Sequence, residues 1–146
     1  LYIRRNIKSN NIKVDKKYCA AKIIAQYDED KINQVILNIL LNAVDALTDI
    51  TDPLIILCVR IKENNFAREN SMLCIDIFNN GGNIDESVKN KIFNPFFTTK
   101  STGVGLGLTI SQKIIEEHNG RINFKNEKNG VKFTVELPID KRFVYI

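Results

Sequence analysis

The stretch Phe93-Asn94-Pro95-Phe96-Phe97-Thr98-Thr99-Lys100-Ser101-Thr102-Gly103-Val104-Gly105-Leu106-Gly107-Leu108 decides how this chain reads. Glycine stands at every second position from Gly103 to Gly107 and runs directly into an apolar helical pattern from Leu108 to Ile115. Glycine lets backbone N–H groups come close to an anion, and the free N–H groups of a helix start add partial positive charge. The combination suits phosphate. The spacing is neither G-x-G-x-x-G nor G-x-x-x-x-G-K-[ST], so neither the dinucleotide fingerprint nor the P-loop applies. A glycine-rich turn can also do no more than connect two elements, so the rest of the chain must carry the reading.

With 146 residues, 44% hydrophobic and 26% charged, residues 1–146 read as a single globular domain. The only methionine is Met72, so the chain starts at Leu1 without an initiator and is expected to be an excised domain. No apolar run approaches the roughly 18 residues of a membrane helix, and no secretory signal is present. A cytoplasmic domain is expected, its parent either soluble or tethered to a membrane by segments outside this chain. Net charge is +4 without a long basic run, and aromatics do not interleave with the lysines, which argues against a nucleic-acid partner. Cys19, Cys58 and Cys74 form no C-x-x-C and read as core thiols of a reducing compartment.

Residues 12–25 alternate imperfectly and predict one or two strands. Asp30 is the expected cap of a helix running to about Thr48. Leu54–Lys62 and Met72–Phe78 are β-branched apolar runs and predict strands, joined by a polar loop from Glu63 to Ser71. Asp85–Ile92 predicts a short helix, and Val104–His118 a long one closed by Asn119-Gly120. Arg121–Lys125 and Val131–Leu137 predict a hairpin across residues 126–130, stopped by Pro138. The tail from Asp140 to Ile146 reads as frayed or as a small docking element. Long helices among strands imply an α/β layered fold, a mixed sheet with helices on one face.

The first long helix is apolar almost all round, except for Gln34, Asn38, Asn42, Asp45 and Asp49, which share one helical face. Asparagine in a helix costs up to about 0.7 kcal/mol against alanine. Two of them inside so apolar a helix point to a site, whereas a plain solvent-facing stripe would favour Glu, Lys or Gln.

Four motifs in order resemble the ATP-binding catalytic domain of sensor histidine kinases. The wider family includes type II topoisomerases, mismatch-repair ATPases and the ninety-kilodalton heat-shock chaperones. Asp30 to Ala46 resembles the asparagine box, and Asn79-Asn80-Gly81-Gly82-Asn83-Ile84 the first glycine box. Phe93 to Lys100 resembles the phenylalanine box, and Gly103 to Leu108 the second glycine box. The likeness covers about residue 12 to Pro138. It implies a Bergerat-type ATP-binding fold, a two-layer α/β (α+β) sandwich with a mixed, mostly antiparallel sheet and helices packed on one face. The Asn42-Ala43-Val44-Asp45-Ala46 form and the short lid are most similar to the nitrogen-regulator type of kinase.

The resemblance also implies roles, with ATP and Mg²⁺ as cofactors. Asn42 would bind the metal, for which an amide oxygen is a suitable hard ligand, and Asn38 would contact phosphates or metal-bound water. Asp45 belongs to the same cofactor-binding face, its role open. Asn79, Gly81 and Ile84 would receive adenine, with Phe93 beside them. Between Phe97 and Gly103, the residues Thr98, Thr99, Lys100, Ser101 and Thr102 form a short polar lid. Lys100 would touch the β- or γ-phosphate, so Asn38, Asn42 and Lys100 are the expected catalytic set. Gly103, Val104, Gly105, Leu106, Gly107 and Leu108 would wrap the phosphates. One of the three phenylalanines is expected to be buried and one to face the phosphoacceptor helix.

Two positions depart from the family pattern. Asn79 replaces an aspartate that accepts from the adenine amino group, and Asn83 replaces a glycine, whose backbone angle it has to tolerate. Asn79 still offers a carbonyl to the adenine N6–H₂, and GTP, with a carbonyl there, is expected to bind poorly. At position 38 the hydrolysing relatives carry a glutamate that activates water; Asn38 cannot take a proton, which favours phosphoryl transfer. His118, the only histidine, ends a helix and reads as structural. The phosphoacceptor would therefore lie on a separate dimerisation hairpin, a response-regulator receiver domain would take the phosphoryl group, and the full-length protein would be a homodimer of domains that are monomeric in isolation. The rival readings are an ATP-hydrolysing relative and a degenerate nucleotide-sensing or scaffolding module.

Overall fold

The computed structural model describes residues 2–18, 22–23, 25–63, 71–101, 103–139 and 144–145. The elements run α1 (Tyr2–Ser9), β1 (Lys13–Tyr18), β2 (Lys22–Ile23), α2 (Glu29–Ala46), β3 (Leu54–Lys62) and β4 (Ser71–Asn79). They continue as α3 (Gly107–Glu117), β5 (Arg121–Glu127), β6 (Gly130–Ile139) and β7 (Val144–Tyr145). Five strands form one sheet in the order β1-β3-β4-β6-β5, and β2 pairs with β7 in a second, two-stranded sheet. Only β1–β3 is parallel, so the main sheet is mixed and mostly antiparallel, as expected.

Register divides the sheet into two chemically distinct faces. Ile77 opposes Phe133 and Ile75 opposes Val135, and these side chains join Val35, Ile39 and Ala43 of α2 and Ile114 and Ile115 of α3 in one apolar core. Val35, Ile39 and Ala43 recur every fourth residue, the spacing that keeps one helical face on the sheet. One residue along, Asp76 opposes Thr134 and Cys74 opposes Glu136, so a period of two sends them to the far face. There the Arg60 Nε–H donates to Asp76 Oδ2 at 2.8 Å, and Thr134 Oγ1–H donates to Asp76 Oδ1 at 2.7 Å. Lys62 and Arg121 both pair with Glu136. Asp76 and Glu136 are each only 6% exposed, and burial pushes both carboxyls up. Their hydrogen-bonded cations outweigh that and hold both below the usual carboxylate range.

Several expectations are corrected. The cap of α2 is Asp28, which accepts the Lys31 N–H at 3.1 Å, so Asp30 lies inside the first turn. Residues 85–92 form consecutive turns closed by Val88 N–H to Asp85 O and Lys91 N–H to Val88 O. Each of these hydrogen bonds closes over three residues, the spacing of a turn and not the four of an α-helix. Helix α3 begins at Gly107, three residues past Val104, because Gly105 has φ +74° and breaks the helical path. Its far end closes as expected. Asn119 takes φ +56°, and the N–H groups of Asn119 and Gly120 return to the Glu116 and Ile115 carbonyls, a Schellman cap. Strand β6 runs through Pro138 to Ile139; β5 stops pairing at Glu136, so Pro138 withholds no ladder hydrogen bond from that neighbour. Helix α1 was not anticipated, and Cys19 and residues 64–70 of the polar loop lie outside the described residues. Cys74 is a buried free thiol and Cys58 is half-buried.

Candidate functional site

Helix α2, the end of β4, the lid and the start of α3 enclose a cavity of about 500 Å³. The walls differ in character. Ala43 and Ala46 of α2, Val88, Ile92, Val131 and Phe133 supply an apolar floor, and Asn42, Thr98, Thr99 and Lys100 a polar rim. Close backbone approach shapes it. A Cβ on Gly81 would lie 2.3 Å from Ala46 O, and one on Gly105 would lie 2.5 Å from Phe97 O. Any side chain at either position would push the loop off its neighbour.

Of the residues expected from the sequence, Asn42, Asn79, Ile84, Thr98, Thr99, Lys100, Gly103, Val104, Gly105, Leu106, Gly107 and Leu108 line this cavity. Asn38, Asp45, Gly81, Phe93 and Ser101 stand off it, and Thr102 lies outside the described residues. Asn38, Asp45 and Phe93 are engaged elsewhere. The Asn38 amide donates to Gly107 O at 3.3 Å and to Ser111 Oγ at 3.2 Å, tying α2 to the start of α3. Phe93 packs on Phe124 and the core, and its carbonyl accepts from Thr109 Oγ1–H. Of Phe93, Phe96 and Phe97 it is Phe97 that reaches the cavity, while Phe96 is 72% exposed with φ +64°.

Lys100 is the centre of charge. Its ammonium donates to Asn42 Oδ1 at 2.9 Å and to Asp45 Oδ2 at 2.5 Å. An amide oxygen and a carboxylate oxygen one helical turn apart therefore converge on one cationic nitrogen. Hard oxygen donors meeting at a cation are what Mg²⁺ accepts, so Asn42 and Asp45 fit that ion. Facing them, α3 starts at Leu106 without a side-chain cap and with no acidic residue in its first turn. Its first N–H groups remain available to an anion.

The loop after β4 holds features that the sequence did not disclose. Asn83 does not adopt a positive φ; Gly82 does, at +94°. The Asn83 amide instead donates to Glu127 O at 2.9 Å and to Gly130 O at 3.0 Å, fastening the loop to the β5–β6 turn. Asn126 exchanges two hydrogen bonds with the backbone of Ile84 at 2.8 and 2.9 Å. No local signal marks such contacts, because they span more than forty positions.

Residues 27–141 match the family described as histidine kinase-, DNA gyrase B- and HSP90-like ATPases. The chain belongs to that family. As an ATPase-fold domain it is 41% identical over 114 residues to the signal transduction histidine-protein kinase AtoS of Escherichia coli K12. That match covers 77% of this chain and 17% of AtoS. To the sensory histidine kinase/phosphatase NtrB of Escherichia coli O157:H7 it is 31% identical, over 90% of this chain and 38% of that protein. The domain thus spans well under half the length of these relatives. Among solved structures, the nucleotide-free catalytic domain of histidine kinase ThkA matches with a TM-score of 0.80 at 33% identity, covering 94% of this chain and 86% of that one. ThkA in complex with the response regulator TrrA matches with a TM-score of 0.74 at 31% identity, covering 97% of this chain and 38% of that one.

Proposed function

We propose that this domain binds Mg·ATP and transfers the γ-phosphoryl group to a histidine on a helical hairpin outside this chain, as the kinase half of a two-component signalling pair. The observation that carries the reading is the convergence on one cavity of an uncapped helix start, Lys100 and the Asn42 amide oxygen, with the Asp45 carboxylate on the same lysine. The α3 N–H groups and Lys100 would hold the phosphates, and Lys100 would exchange Asn42 and Asp45 for phosphate oxygens on binding. Asn42, with Asp45 close by, would hold Mg²⁺, whose charge would offset that of the phosphates. Catalysis of this kind is positioning and charge neutralisation.

Transfer is favoured over hydrolysis because the domain offers no general base at position 38. The Asn38 amide is spent on Gly107 and Ser111 and cannot take a proton. His118 is no rival acceptor. Its Nδ1 lies 2.7 Å from Ile114 O, and its Nε2 accepts the Asp28 N–H, so the imidazole joins the end of α3 to the start of α2. A response-regulator receiver domain would collect the phosphoryl group, and a dimeric parent would present the hairpin. Among the described residues no helix is long and apolar enough to cross a membrane, and we place the domain in the cytoplasm.

The test has two stages. Titration with a non-hydrolysable ATP analogue should show binding that Mg²⁺ strengthens. Mixing the domain with its separately produced hairpin and γ-labelled ATP should then place acid-labile label on the hairpin histidine. Steady release of inorganic phosphate with no labelled hairpin would replace this reading with a hydrolase.

A further inference from the structure

Ser111 shares the buried face of α3 with Ile114 and Ile115, is 0% exposed and stands off the cavity. Its Oγ–H donates to Gly107 O at 2.8 Å, one turn back along the helix. The Asn38 amide of α2 donates to that hydroxyl oxygen at 3.2 Å and to the same Gly107 O at 3.3 Å. Both bonds leave from Nδ2, and the flipped amide would set Oδ1 against the Gly107 carbonyl, acceptor against acceptor. Back-bonding to Gly107 alone would satisfy a buried serine. The bond from Asn38, 73 positions away, turns it into a tie between two helices. Alanine would fill the same place and is the better helix former, so packing does not call for the hydroxyl.

The residue so held is the first of α3. Gly107 lines the cavity and follows a stretch in which Gly103 and Gly105 alternate with Val104 and Leu106. Glycine is the residue with the most backbone freedom, and Leu106 gives the helix no side-chain cap. A first turn of this kind frays unless something outside it holds it. Here the hold comes from behind the wall, since Asn38 and Ser111 stand off the cavity that Gly107 lines. We infer that Ser111, together with Asn38, is a positioning residue for the phosphate end of the site, fixing the first turn of α3 against α2. The inference rests on the reading of the cavity as a Mg·triphosphate site. It has Asn38 act through Gly107, with no contact of its own to phosphate or metal. Asn42 lies one turn beyond Asn38 on α2, so the same tie sets the separation between the proposed metal ligand and the N–H groups offered to phosphate. Val131 and Phe133 of the apolar floor are held by the pairing of β6 with β4 and do not depend on it.

The experiment follows amide NMR shifts of the chain during titration with Mg·ATP and, separately, with adenosine, which carries the base and no phosphate. Ser111→Ala should weaken Mg·ATP binding by about 2- to 10-fold and Asn38→Ala by about 5- to 100-fold, with adenosine affinity within about twofold of the parent in both. Both residues act through Gly107, so the double variant should lose no more than Asn38→Ala alone. A merely structural role would lower both ligands together, because a loosened fold does not separate base from phosphate. Melting curves establish the fold of each variant. Ser111→Ala places a good helix former in α3, so it decides the matter even where Asn38→Ala unfolds. The double variant is compared on Mg·ATP alone and decides even where adenosine binds too weakly to follow. Equal losses for the two ligands, or an unchanged Mg·ATP affinity in folded Ser111→Ala, overturn the inference and leave the nucleotide site standing. Losses that simply multiply in the double variant do the same. Binding of neither ligand to the unaltered chain removes the nucleotide reading, and this inference with it.

Discussion

Helix α2 begins at Asp28, whose carboxylate accepts the Lys31 N–H, and carries Glu29 and Asp30 in its first turn. Helix α3 begins at Leu106 with neither a side-chain cap nor an acidic residue. Both starts expose the same orphan N–H groups and the same partial positive charge. In α2 the chain supplies its own anion; in α3 the corresponding groups stand at a cavity rimmed by Lys100 and two threonines. The outer face of the sheet repeats the α2 solution, with Asp76 and Glu136 matched by Arg60, Lys62 and Arg121. The contrast separates charge that the fold satisfies internally from charge that it leaves for a ligand.

The strongest way to break this contrast lies on the side of α2 that faces the open end. Asn42→Ala should abolish the Mg²⁺-dependent part of nucleotide affinity while the melting temperature stays within the range of a surface change. Titrations with and without Mg²⁺ measure it, and an unchanged Mg²⁺ effect would sink the metal assignment. Next comes Leu106→Asp, which gives α3 the cap that α2 has. Affinity for the triphosphate should fall by about 10- to 100-fold through repulsion at the phosphate position, while stability holds or rises by up to about 1 kcal/mol. Loss of stability without loss of affinity would show that this helix start does not meet phosphate.

Asp28→Ala is the mirror experiment. It should cost about 1 kcal/mol of stability by denaturant unfolding and leave nucleotide affinity unaltered, because that end of α2 lies away from the cavity. The smallest effect concerns the outer face. The Asp76 and Glu136 carboxyls sit below their unfolded values, so their contribution is present above the usual carboxylate range of about 3.9–4.3 and is lost as pH falls through the folded values. Melting temperature should therefore decline on acidification, and Asp76→Asn should flatten the decline. An identical slope in the variant would mean that other groups carry the acid sensitivity.

How much of this was legible in the residues is uneven. Glycine spacing, the Asn38–Asn42 stripe and the β-branched runs announced the glycine-lined wall of the cavity, two helices and most of the main sheet, because helical and strand periods are local properties. The same local logic misplaced the cap at Asp30, extended α3 back to Val104 and drew a helix over residues 85–92. Phe93 and Phe97 look equivalent along the chain, yet one packs on Phe124 and the other lines the cavity.

Local pattern settled which residue types would line the cavity and in what order along the chain, since backbone conformation and side-chain period depend on near neighbours. Register and packing settled the rest: that Val131 and Phe133 floor the cavity, that Lys100 rests on Asn42 and Asp45, and that Asn83 clamps a turn. They also set which way round the Asn79 amide lies, through one backbone N–H two residues on. Those outcomes rest on contacts between distant segments, or on the geometry of a single loop. A linear pattern of residue types carries no record of either.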